Sequence, residues 1–170
     1  MSAKPPRFDP YALLTALERQ RITSVLIGGF ARIIQGTEEL TNGLDLTPST
    51  RGENLRRLAI ALDDLDARLP NGKRPELDRD LARGPVLELR TGAGELKIVP
   101  EPAGTRGGYD DLRRAATREP IGSGLRPRVA SIGDLARMLA ALGREQDLPP
   151  LQQLRTLAEL ERSLIRGIER

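Results

Sequence analysis

The run Val25-Leu26-Ile27-Gly28-Gly29-Phe30 constrains this chain most. A short apolar stretch that ends in two glycines reads as a buried strand that turns abruptly. Without side chains the double glycine lets backbone N–H groups approach an anion closely. A helix-length segment follows, with Phe30–Gln35 read as a short helix starting at Gly28-Gly29. Thr41-Asn42-Gly43-Leu44-Asp45-Leu46 then carries a second apolar run, and Leu44–Thr47 reads as the second strand. Strand side chains alternate between faces, so Leu44 and Leu46 point into a core. Gly43, Asp45 and Thr47 share the other face, which forms a polar row beside the glycines.

The rest of the chain supplies more strands and helices. Asp9 caps a helix with Pro10 at its first position. Ser24–Ile27 is the first strand. Thr50-Arg51-Gly52-Glu53 fits a capping box, and Leu55, Leu58, Leu62, Leu65 and Leu69 follow at helical spacing. Residues 70–84 are rich in Gly, Pro and Arg and read as a loop. Residues 85–90 and 95–99 read as a hairpin around Thr91-Gly92-Ala93-Gly94. A short helix is expected over 109–117 and a strand over 125–130. Ser131 caps the next helix. Asp147 caps the last one, whose stripe runs Leu151, Leu154, Leu157, Leu160, Leu164 and Ile168.

Composition narrows the chemistry. The chain has no Cys and no His, which removes disulfides, thiolate metal sites and the commonest general base. Catalysis would have to use carboxylates, Lys, hydroxyls or a bound metal. The net charge of +3 comes with Lys and Arg totalling 27, nearly all of them Arg, a side chain suited to phosphate oxygens. Arg113, Arg114, Arg126 and Arg128 form a candidate nucleic-acid surface. With so few aromatics, stacking on bases is poorly served. No signal peptide or long apolar run appears, so a cytoplasmic location with no membrane partner is expected.

The apolar strand, the double glycine, the thirteen residues from Phe30 to Asn42 and the strand carrying Asp45 resemble the nucleotidyltransferase fold. The likeness is to the AbiEii and MenT toxin type. It continues in Leu96-Lys97-Ile98-Val99-Pro100 and the loop after it, in Val129-Ala130-Ser131-Ile132-Gly133-Asp134, and in Gly143-Arg144-Glu145-Gln146-Asp147-Leu148.

The resemblance implies an α/β fold: a mixed sheet of four or five strands flanked by helices. A disordered tail over 1–8 precedes a core over 9–130 and a helical C-terminal part over 131–170. It also implies transfer of a nucleoside monophosphate from an NTP to RNA, such as a tRNA end, with Mg²⁺ as cofactor and an antitoxin as partner. Asp45 and Lys97 occupy the catalytic positions; Gly28, Gly29, Thr41, Arg144 and Asp147 occupy nucleotide-binding ones.

Three of the family's polar positions differ. Its first metal-binding aspartate falls on Gly43, its third on Lys97, and a usual lysine on Leu139. Metal binding rests on Asp45, helped by Glu38 or Glu39, and Lys97 is expected to neutralise Asp45. Activity is therefore expected to be reduced or lost, leaving an NTP- or RNA-binding pseudoenzyme or an interaction subunit as alternatives. Aspartates restored at 43 and 97 would be expected to strengthen Mg²⁺ binding.

Overall fold

The computed structural model describes residues 7–170. Helix α1 (Pro10–Arg19) leads into strand β1 (Ser24–Ile27), helix α2 (Gly28–Gln35) and strand β2 (Gly43–Pro48). Helices α3 (Gly52–Asp64) and α4 (Leu77–Leu81) precede the hairpin of β3 (Leu87–Thr91) and β4 (Gly94–Ile98). Then come α5 (Tyr109–Leu112), β5 (Thr117–Arg118), β6 (Arg128–Val129), α6 (Ile132–Leu142) and α7 (Leu148–Ile168).

The strands form one mixed sheet in the order β3-β4-β2-β1-β6-β5. β1 runs antiparallel to β2 and parallel to β6, and β2 runs parallel to β4. Leu26, Leu44, Leu46, Leu89, Leu96 and Ile98 are buried in the core. Helix α1 packs against α3, while α6 packs against both α2 and α7. One buried residue ties the first group to the sheet. Asn54 of α3 accepts from Thr23 N at 2.8 Å and donates to the carbonyls of Thr23 and Ser49, so it pins the entry of β1 to the exit of β2.

Several elements differ from the sequence reading, each for a local reason. The sheet has six strands because residues 117–118 pair with 128–129 instead of extending α5. The strand expected over 125–130 shrinks to two residues. Pro127 offers only its carbonyl to the ladder, accepting from Glu119 N. The Thr50 capping box does not form: Arg51 precedes the helix and no side chain caps it. α3 stops at Asp64, and Asp66 with φ +49° turns the chain away before Leu69. The 70–84 excursion contains α4. Asp147 does not cap α7 with its side chain, which accepts from Arg144 Nε at 2.6 Å.

Of the tail expected over 1–8, residues 1–6 lie outside the described residues. Phe8 packs edge-on against Phe30, with ring centroids 5.6 Å apart.

Candidate functional site

Strand β1 ends at Ile27, and the chain turns into α2 through Gly28, whose φ is +75°. Glycine is required there twice over. The conformation disfavours any side chain, and a Cβ would collide with the Asp45 carboxylate. Ile27 is the register partner of Asp45, and Asp45 in turn is the partner of Lys97 on β4. Gly43 is the partner of Glu95. Sheet pairing therefore brings positions 43, 45 and 97 together beside the double glycine.

These residues line a cleft of about 640 Å³, which also receives Thr41 and Arg144. Part of the lining is apolar: Leu135, Met138, Leu139 and Leu142 of α6, with Val86 and Leu40. Asp147 lies behind Arg144, bonded to it rather than open to the cleft. The four candidate surface arginines are divided. Arg126 and Arg128 line a second cleft, while Arg113 pairs with Asp110 at 3.6 Å, and neither Arg113 nor Arg114 lines either cleft.

The charges in the first cleft are not equivalent. Arg32 grips Glu39 with both arms of its guanidinium, at 2.8 and 2.9 Å, and the Thr37 hydroxyl donates to the same carboxylate. Burial raises the Glu39 pKa, but the bonds from Arg32 and Thr37 and the Arg32 charge bring it below its ordinary value. Arg144 is held by Asp147. Lys97 has no carboxylate partner within ion-pair distance among the described residues, whereas Arg32 and Arg144 each have one.

Asp45 titrates above its ordinary value. Burial is the main cause; Lys97, Arg32 and Arg144 oppose it and Glu95 adds to it. The expected neutralisation by Lys97 is thus incomplete: its charge reaches Asp45, yet desolvation of the carboxylate wins. Sequence reasoning missed Arg32 altogether. The only signal was an arginine one turn into the helix that opens with the double glycine.

No family model and no curated sequence matches the chain. Solved structures do. The lincosamide antibiotic adenylyltransferase LnuA, bound to lincomycin, superposes with a TM-score of 0.61 at 14% identity, over 89% of this chain and 99% of that one. The antibiotic-resistance factor ANT(2'')-Ia in solution gives a TM-score of 0.54 at 16% identity, over 94% and 92%. Its complex with adenylyl-2''-tobramycin gives 0.51 at 18%, over 92% and 96%. This chain has a nucleotidyltransferase-like fold.

A nucleotidyltransferase-like fold of the kind the sequence resembles implies a divalent cation held by paired acids, and the residues here do not fit one. A Cβ on Gly43 would sit 2.7 Å from the Glu95 carbonyl oxygen, so β4 fills the space of the first acid. Lys97 brings a positive charge where the third would be. Glu39 is occupied by Arg32, and exposed Glu38 does not line the cleft. No cluster of three His, Cys, Asp or Glu side chains able to hold a metal exists among the described residues. Glu88, Glu95 and Glu101 also line the cleft, but among the described residues they form no such group with Asp45, and Mg²⁺ prefers several hard oxygen ligands. No helix among the described residues is long and apolar enough to cross a membrane.

Proposed function

We propose that this protein is a nucleotidyltransferase-fold protein of the AbiEii/MenT kind. It binds a nucleoside triphosphate in the Asp45–Lys97 cleft and has lost transfer of the nucleotide. The free ammonium of Lys97 carries the reading. From β4 it lines the same cleft as the double glycine, and lysine serves as a point-charge phosphate ligand. The first N–H groups of α2, at Gly28 and Gly29, add donors for the same anion. Thr41 at the cleft edge offers a hydroxyl, although it is now turned to the Gly43 carbonyl at 3.1 Å.

Loss of turnover follows from the same residues. Lys97 supplies positive charge but no oxygen to activate an acceptor hydroxyl, and Asp45 is a single carboxylate with reduced acidity. The α6 wall gives an acceptor or a base an apolar surface. An RNA or tRNA end, and an antitoxin partner, belong to this reading through the resemblance alone.

The test is incubation with α-labelled NTPs, Mg²⁺ and bulk RNA. The expected result is a rise in melting temperature with NTP and no label on RNA. Label transferred to RNA at enzymatic rates overturns the proposed loss of turnover. No thermal shift with any NTP overturns the binding reading.

A further inference from the structure

β1 enters the sheet at Ser24 and leaves at Gly28, and a separate cleft of about 500 Å³ opens at its entry end. A four-residue strand spans roughly 13 Å, so the two clefts are distinct. Strand alternation separates them further: Ile27 lines the first and Leu26 the second. The second cleft has an apolar floor of Leu14, Leu17, Leu26 and Leu125. Its rim carries Arg21, Arg118, Arg126 and Arg128 against one carboxylate, Glu18.

The arginines at this rim differ from many others in the chain. Arg32, Arg57, Arg68, Arg79 and Arg137 all pair with acids. The four at the rim have no ion-pair partner among the described residues. Arg118 donates to the Arg126 carbonyl at 3.2 Å, and Arg128 donates to the Tyr109 hydroxyl at 2.8 Å, which fixes both in place without neutralising them. Arg21 holds a left-handed backbone, φ +52°, at the end of α1. A β-carbon is disfavoured in that conformation.

We infer that this second cleft binds a nucleoside phosphate, its base or ribose on the leucine floor and its phosphate in the arginine rim. Guanidinium forks match phosphate oxygens in pairs. The volume falls within the roughly 300–1,000 Å³ typical of small-ligand sites. It admits one nucleotide rather than a duplex, and that nucleotide can be free or the end of a single strand. The site stands whether or not the first cleft binds NTP.

The test is fluorescence anisotropy of the full chain with a fluorescein-labelled hexa-adenylate RNA, competed with AMP. The triple variant Arg21→Ala, Arg118→Ala, Arg126→Ala removes three exposed side chains, and its fold is checked by denaturation. It should weaken the probe at least about tenfold and flatten the log–log salt slope by about 2, at ~0.7 for each phosphate that an arginine no longer neutralises. Lys97→Ala, in the first cleft, should leave the probe unchanged. Displacement by AMP assigns the site to free nucleotide, and RNA binding that AMP does not displace assigns it to a strand end; either supports the proposal. Absence of probe binding, equal binding by the triple variant, equal weakening by Lys97→Ala, or displacement by hexa-aspartate as effective as by RNA overturns it.

Discussion

Gly28, Gly43 and Asp45 carry the strongest constraints at the residue scale. Gly28→Ala should destabilise the fold by about 1–3 kcal/mol, since it forces a side chain into a left-handed conformation and against Asp45. Urea denaturation measures this directly. Gly43→Asp should cost about as much, ~1–3 kcal/mol, because β4 must move to admit a Cβ. It should not create a Mg²⁺ site, even with Lys97→Asp, contrary to the expectation drawn from sequence; calorimetry with Mg²⁺ reads this out.

Asp45 predicts a pH effect. Its folded pKa is raised, so the native chain keeps this proton when the unfolded chain has lost it. Its contribution to stability therefore falls as pH rises from about 3.9 through the folded value. Asp45→Asn removes that slope, so the variant should gain on wild type as pH rises through this window. Glu39 works in the opposite sense. Its lowered pKa gives stability that is present above the ordinary glutamate value and lost as pH falls through the folded one. Denaturation midpoints of Glu39→Gln and Asp45→Asn across the acidic range should diverge from wild type in opposite directions.

Elements with local signals were legible in the sequence. Asp9 accepts from Ala12 N as an N-cap and Ser131 from Asp134 N, and β1 has the bounds its apolar run gave. Elements that depend on distant partners were not. The pairing of β5 with β6, and the arrest of α5 at Leu112, follow from contacts across the 119–127 excursion that no local pattern encodes. The tie made by Asn54 was equally invisible, because its partners lie 31 and five residues away. Asn54→Ala should cost about 2–4 kcal/mol, as it strands buried backbone groups of Thr23 and Ser49. The second half of α7 behaves differently. Leu164 is 68% and Ile168 84% exposed, so the apolar stripe read from sequence is buried only at its start. Deleting residues 159–170 should change stability by less than about 1 kcal/mol, as thermal denaturation would show.

Across the whole molecule, the sheet order explains why the site was partly readable. β2 lies between β1 and β4, so a double glycine, an acid and a lysine far apart in sequence meet in one cleft over the interior strands. The spacing of those residues was visible; the fit between them was not. That β4 fills the space beside Gly43, that Arg32 secures Glu39, and that Lys97 stays unpaired are all consequences of packing. Together they describe a nucleotidyltransferase-like fold in which a lysine stands at a cleft position where the resemblance implies a metal-binding acid.

Titration calorimetry of NTP binding in EDTA tests that account most directly. The affinity should be the same in EDTA as in Mg²⁺, and it should fall at least about tenfold in Lys97→Ala. Binding that vanishes in EDTA and survives the loss of Lys97 would contradict it.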